Sequence, residues 1–383
     1  MGRFIARMAA TTASSASRQF QSPIKCVAIG GGTGLATLLR GLKRHVIDDG
    51  IRLPGQCIES LTAVVTVTDD GGSSGRLREE FQILPPGDIR NCLVALSEDE
   101  RLLARLFQYR FPGQGSVRGH SFGNLFLAAL TGITGDFVEA IRLCSEVLAI
   151  KGKIVPSTTA DVTLVAELDD GFIVRGESKI SAAGGRIQSV ALDPPDCNPL
   201  PETLASIAEA DLITLGPGSL FTSVIPNLLV TGMTEAIAAS KALKVYVCNL
   251  MTQPGETTDF SIADHVATLL DALAPATLDA VIVNHGRISA AAQARYRLEG
   301  SRPLTGRSAI RRLNVPPPTA RVATDKFLVF DHHRIPVMTA NLVEETEVVR
   351  HAPDKLARVV LEVYARRLPS SQRKPNLLRL VAR

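Results

Sequence analysis

Two clusters of small, acidic and hydroxyl residues in this 383-residue chain have the chemistry to hold a phosphorylated ligand. Gly30-Gly31-Gly32-Thr33-Gly34 offers backbone that turns tightly and brings N–H groups against phosphate oxygens. Thr68-Asp69-Asp70-Gly71-Gly72-Ser73-Ser74-Gly75-Arg76 combines carboxylates, hydroxyls and a guanidinium. Adjacent carboxylates such as Asp69 and Asp70 can hold Mg2+, and the metal in turn can grip a phosphate. Gly72, Ser73 and Ser74 can add N–H groups to an anion nest. The structural alternatives are a tight glycine turn in the first case and an Asp-Gly turn in the second. Seven small or acidic residues in succession exceed what a turn needs, which favours a functional role for the second cluster.

Further polar groups recur along the chain. Asp88 is expected to cap its helix, which puts Arg90 and Asn91 in the first turn, within reach of an anion. Gly119-His120-Ser121-Phe122-Gly123-Asn124 opens another helix, with Asn124 just inside it. Asp70 and His120 are the candidates for a catalytic role, although a lone histidine in a loop is more often structural. Gly218 sets a turn, and Ser219, Thr222 and Ser223 supply hydroxyls at a helix start. Asn249, Thr252 and Gln253 carry amide and hydroxyl groups suited to a base or a sugar. The dinucleotide fingerprint G-x-G-x-x-G fails: aligned on Gly30 it meets Leu35, and aligned on Gly32 it meets Thr37. With that fingerprint absent no redox cofactor is expected, and no Gly-Lys-Ser/Thr follows either glycine run, so no Walker A loop is expected.

The elements that must position these groups alternate. Ile24 to Ile29 reads as a strand, and Leu35, Leu38, Leu39 and Leu42 follow at helical spacing. Leu61 to Val67 is a second strand; helical patterns start at Asp88, Asp99, Phe122 and Asp136, with Asp99 and Asp136 as N-caps. Val162 to Leu168 and Phe172 to Gly176 flank an Asp-Asp-Gly turn as a hairpin, and Ile187 to Leu192 adds a strand. Strand-then-helix units resume at Leu212 to Leu215, Val245 to Leu250 and Val281 to Asn284, and a helix over Lys355 to Leu368 closes the pattern. The expectation is an α/β fold: a Rossmann-like, mostly parallel sheet with helices on both faces and a small β-rich insertion. Residues 23–150 and 201–368 form the two parts of the core and 151–200 the insertion, between a 1–22 extension and a basic 369–383 tail. Ligands of such sheets sit beyond the carboxyl ends of the strands, where these loops fall.

Composition narrows the function classes. A net charge of +4, with 4% aromatics and no basic stripe interleaved with them, argues against nucleic acid. Cys26, Cys57, Cys92, Cys144, Cys197 and Cys248 are scattered without a C-x-x-C pair, which argues against zinc and a disulfide framework and suits a reducing compartment. No run of about 18 apolar residues is present, so no membrane span is expected. Residues 1–22 are basic, Ser/Ala/Thr-rich and acid-free, as in a transit peptide, but they carry no long apolar stripe; a non-targeting extension is preferred.

Taken together, the loops resemble the gluconeogenesis factor family, relatives of the archaeal-type 2-phospho-L-lactate transferases. The matching stretches are Ala28 to Gly34, Thr68 to Leu77, Pro85 to Leu93, Gly119 to Leu125, Leu215 to Asn227 and Asn249 to Thr257. The resemblance implies a cytoplasmic protein that binds UDP-N-acetylglucosamine and supports cell shape and wall synthesis on gluconeogenic carbon sources. A homo-oligomer and a protein partner in wall synthesis belong to the same expectation. The transferase branch, which moves a phospholactyl group from a guanylylated donor to a deazaflavin with Mg2+, is the alternative.

Carried over by motif, Gly31, Gly32, Thr33 and Gly34 would meet the diphosphate, and Asp69 and Asp70 would hold metal or ribose. Asn249, Thr252 and Gln253 would line the base or sugar, Tyr296 would cover the nucleotide, and Arg350 would complete the set. Where the family reads R-H-D-x-x-K-L-A, this chain reads Arg350-His351-Ala352-Pro353-Asp354-Lys355-Leu356-Ala357. It lacks the first aspartate, and Pro353 replaces a residue that can be a phosphorylatable threonine, which puts regulation there in question.

Overall fold

The computed structural model describes residues 22–48, 53–98, 102–304, 320–322, 327–330 and 333–367. The expected N-cap Asp99, the expected 1–22 extension apart from residue 22, and the expected 369–383 tail lie outside the described residues. Strand β1 (Ile24–Gly30) is almost continuously buried, as a strand covered on both faces must be, and runs into α1 (Gly32–Leu42). Leu35, Leu38, Leu39 and Leu42 recur every three or four residues, so they share one face of α1 and are wholly buried. Each such leucine contributes on the order of 2 kcal/mol. Next come β2 (Ile58–Val65), α2 (Gly72–Phe81), α3 (Gly87–Leu96), α4 (Leu102–Gln108), α5 (Phe122–Thr134) and α6 (Phe137–Val147). Asp136 caps α6 as expected, accepting from the Glu139 N–H at 2.7 Å. Asp88 does not cap: α3 begins after Pro86 with no side-chain cap, and Asp88 is already inside its first turn.

Strand β3 (Lys153–Pro156) pairs in parallel with β2 and so belongs to the main sheet. The insertion follows as β4 (Thr163–Leu168), β5 (Ile173–Arg175), α7 (Glu177–Ala183) and β6 (Ile187–Asp193), with the strands in the antiparallel order β5-β4-β6. The core resumes with α8 (Pro201–Glu209), β7 (Leu212–Leu215), a π-helical turn at Leu220–Val224 leading into Ile225–Leu228, then α9 (Met233–Ala239) and β8 (Leu243–Val247). After α10 (Ile262–Leu273), β9 (Ala280–Asn284) and α11 (Ala290–Leu298) come β10 (Ala320–Val322), β11 (Phe327–Phe330) and β12 (His333–Ala340). A hairpin of β13 (Val343–Glu345) and β14 (Val349–His351) precedes α12 (Pro353–Arg367).

The main sheet runs β10-β11-β12-β9-β8-β7-β1-β2-β3. From β12 to β3 every neighbouring pair is parallel; β11 and β10 continue the edge antiparallel. The chain therefore winds outward one way from β1 through β2 to β3 and the other way from β7 through β8 to β9. β1 and β7 flank the point where the winding reverses, the place where open α/β sheets bind ligands. Their registers agree with this: Gly30 lies opposite Val65 and Ile29 opposite Leu215, so the loops after β1, β2 and β7 leave the sheet on one side. All six cysteines are buried and free. Among the described residues no single helix is long and apolar enough to cross a membrane.

Candidate functional site

Two glycines let the loop after β1 pack tightly, Gly31 against α3 and the end of β2 and Gly34 against the loop after β7. A Cβ on Gly31 would stand 2.6 Å from a carboxylate oxygen of Asp88 and 2.7 Å from the Thr66 methyl, and one on Gly34 would collide with the Pro217 carbonyl. The loop after β8 locks onto the same turn. Asn249 Oδ1 accepts from the Gly218 N–H at 3.1 Å, and its Nδ2 donates to Gln253 Oε1 at 3.2 Å. Gln253 Nε2 donates to Ser219 Oγ at 2.6 Å, and Thr252 Oγ1 accepts from the Arg302 N–H at 2.9 Å. Beneath them the buried Asn227 amide donates to the carbonyls of Gly30, at 3.2 Å, and Ser223, at 2.8 Å.

These contacts enclose a cleft of about 280 Å3. Gly31, Gly32, Thr33, Gly34, Gly218, Ser219, Ser223, Asn249, Thr252, Gln253, Tyr296 and Arg350 all line it, so twelve residues singled out in the sequence come together here. Thr222 is not among them; it is buried, with its hydroxyl 3.4 Å from Glu256 Oε1. Tyr296 holds the roof: its hydroxyl accepts from the Val349 N–H at 3.0 Å and so fixes β14. Arg350, next along β14, is exposed and makes no ion pair among the described residues. His351 is buried beside it, and burial lowers its pKa to about 4, so its ring is neutral.

A second polar group adjoins the cleft on the Gly31 side. Asp88, expected as a cap, is buried against Gly31; burial pushes its carboxyl up to about 7, Asp69 adds to the rise, and a backbone hydrogen bond from Gly32 opposes it. The expected pair of metal carboxylates splits in the structure. Asp69 Oδ1 accepts from the Gly71 N–H at 2.9 Å, whereas Asp70 Oδ1 turns to the insertion and accepts from the Ser178 N–H at 2.8 Å. The pull on Asp70 is a free helix N-terminus, which adjacency in sequence does not reveal. No cluster of three or more His, Cys, Asp or Glu residues is arranged for a metal among the described residues. The donors present suit a cation held by Asp69 together with ligand phosphates, as Mg2+ usually is.

Ser73, Ser74, Arg90, Asn124 and His120 are each buried, and Asn91 accepts from Arg90 Nη2. Ser73 Oγ lies 3.0 Å from His120 Nδ1 and accepts from Asn124 Nδ2 at 3.1 Å. Burial, with the Arg76 charge nearby, lowers the His120 pKa and keeps the ring neutral at pH 7. Two acids missed in the sequence complete the region. Glu177 of α7 accepts from the Thr68 hydroxyl at 3.2 Å; burial drives its pKa up to about 9, with Asp88, Asp69 and Glu256 contributing. Glu256 accepts from Ser181 Oγ at 3.1 Å, and burial raises its pKa too. Glu256 lay within the Asn249 to Thr257 stretch and was open to notice; Glu177, in a seven-residue helix, carried no such signal.

Known proteins share this plan. The family described as 2-phospho-L-lactate transferase CofD matches residues 26–322. A gluconeogenesis factor of Halalkalibacterium halodurans is 43% identical over 342 residues, 88% of this chain and 95% of that one. The gluconeogenesis factor of Bacillus subtilis is 50% identical over 280 residues, 73% of this chain and 84% of that one. A crystal structure of a Bacillus halodurans protein superposes with a TM-score of 0.77 at 43% identity, covering 89% of this chain and all, 100%, of that one. A second, from the same organism and described as a member of the UPF0052 family, gives 0.76 at 42% identity. This chain belongs to the CofD family, and within it to the gluconeogenesis factors.

Proposed function

We propose that this gluconeogenesis factor is a cytoplasmic metabolite-binding regulator whose ligand is a nucleoside diphosphate sugar, UDP-N-acetylglucosamine. The observation that carries the proposal is the cleft at the β1/β7 reversal, glycine-floored, walled by amides and roofed by Tyr296 and Arg350. The diphosphate lies against Gly31 to Gly34, where the N-terminus of α1 presents unpaired N–H groups and the positive end of its dipole. Arg350 supplies the counter-charge; hydrogen bonds of this charge-assisted kind are worth about 1.5–3 kcal/mol each. Asn249, Thr252 and Gln253 face the base or sugar, and Asp69 holds Mg2+ when the ligand brings it. On this proposal the protein supports cell shape and wall synthesis during gluconeogenic growth through a protein partner, as a homo-oligomer.

A 2-phospho-L-lactate transferase activity is the second reading, favoured by the family match and by two acids, Asp88 and Glu177, whose raised pKa values suit proton transfer. Incubation with a guanylylated phospholactate donor, Mg2+ and a deazaflavin acceptor separates the two. The regulatory proposal expects no phospholactyl product; steady turnover overturns it.

A further inference from the structure

We propose a second anion subsite, separate from the nucleotide cleft, built on Arg90 with Arg76 and Arg110 around the loop at residues 117–121. It takes the phosphate or carboxylate group of a small acidic ligand. Arg90 is only 8% exposed, yet no carboxylate forms an ion pair with it among the described residues. Its Nη1 donates to Ser121 Oγ at 2.6 Å and its Nη2 to Asn91 Oδ1 at 2.8 Å, while Nε is buried with no partner. A buried guanidinium without a paired anion costs several kcal/mol, so a fold that keeps one is poised for an anionic ligand. Asp88 and Asp69 lie within electrostatic reach and favour the Arg90 charge, but neither carboxylate bonds it among the described residues.

The surroundings add positive charge. Arg110 Nη1 donates to the Gly119 carbonyl at 3.0 Å and Arg76 Nη2 to the Arg118 carbonyl at 2.7 Å. Each is exposed, spends a donor on this one loop, and keeps a charge that no carboxylate pairs among the described residues. Arg110 is near enough for its charge to depress the Arg90 pKa, and Arg76 near enough to depress that of His120. Asn124 Oδ1, also buried without a partner, can accept from a protonated phosphate oxygen.

Calorimetric titration at low ionic strength with inorganic phosphate, and separately with malonate, tests the subsite. Wild-type protein should bind at least one of the two saturably, and the stronger probe identifies the group. Arg110→Gln, at an exposed position that leaves folding intact, should weaken that binding by about tenfold, the loss of one charge-assisted contact. Arg90→Lys should weaken it as much, because an ammonium cannot reproduce the planar fork. Arg350→Ala should leave it unchanged. No saturable binding by wild type, or full binding by both Arg110→Gln and Arg90→Lys, overturns the subsite. Loss in Arg350→Ala with Arg110→Gln unaffected places the anion in the nucleotide cleft and overturns it equally. UDP-N-acetylglucosamine titrated into Arg110→Gln reads the nucleotide proposal separately, since that cleft lacks Arg110.

Discussion

Asp70 accepts a hydrogen bond from the Ser178 backbone N–H at 2.8 Å, across 108 positions of sequence, and so caps the helix by which the insertion rests on the core. Asp70→Ala should therefore lower stability by about 1 kcal/mol, the usual worth of an N-cap, while Asp70→Asn loses less. Urea unfolding measures the difference, and faster amide exchange over 177–183 in Asp70→Ala localises it. If Asp70 instead binds metal, Asp70→Asn will leave stability untouched and abolish any Mg2+ dependence of ligand affinity.

Gly34 has no room for a side chain, because a Cβ there would strike the Pro217 carbonyl. Gly34→Ala must push the β1 and β7 loops apart. The expected cost is about 1–3 kcal/mol, with a larger proportional loss of ligand affinity because the cleft itself is deformed. Thermal unfolding and ligand titration of the same sample check both parts.

The acids Asp88 and Glu177 give the fold a pH dependence of definite sign. Both are raised in the folded state, to about 7 and about 9, from ordinary carboxylate values near 4. Above pH of roughly 4 the unfolded chain releases protons that the folded chain still holds. Stability is thus fullest on the acid side and declines as pH rises, until the Asp88 contribution ends near 7 and that of Glu177 near 9. The decline is at most about 1.4 kcal/mol per pH unit for each group. Glu177→Gln should flatten the profile between pH 5 and 9 and exceed wild type in stability at pH 8. A variant less stable than wild type at pH 8 with an unchanged slope would contradict the assignment.

Tyr296 anchors the roof through its hydroxyl on the Val349 N–H. Tyr296→Phe leaves that N–H without its partner, at a cost of about 1–2 kcal/mol. Because β14 carries Arg350, affinity should fall with it, and further in Tyr296→Ala. Arg350→Ala, at an exposed side chain, should lower affinity with no change in melting temperature; lower stability there would make Arg350 structural instead.

Much of this was legible in the sequence. The strands after which the chemistry falls are short, largely apolar runs, and β7 spans Leu212–Leu215 as the sequence pattern predicts. The glycine loops announced themselves because Gly31 and Gly34 sit where no side chain fits. Asp88 and Asp70 show the limit. Sequence places each beside a turn, but only the packed structure shows Asp88 pressed into Gly31 and Asp70 drawn across to Ser178. Glu177 was hidden for the same reason, and Arg90, legible as a first-turn cation, showed in the sequence neither its burial nor its want of an ion pair among the described residues, which are properties of contacts between distant segments.

The central claim, a sugar nucleotide in the β1/β7 cleft, is tested most directly by calorimetric titration with UDP-N-acetylglucosamine, with and without Mg2+, beside UDP, GDP and a deazaflavin. Saturable binding of UDP-N-acetylglucosamine to wild type, weakened in Arg350→Ala, is the predicted result. Binding of GDP and the deazaflavin with none of UDP-N-acetylglucosamine would contradict it and make the protein a transferase.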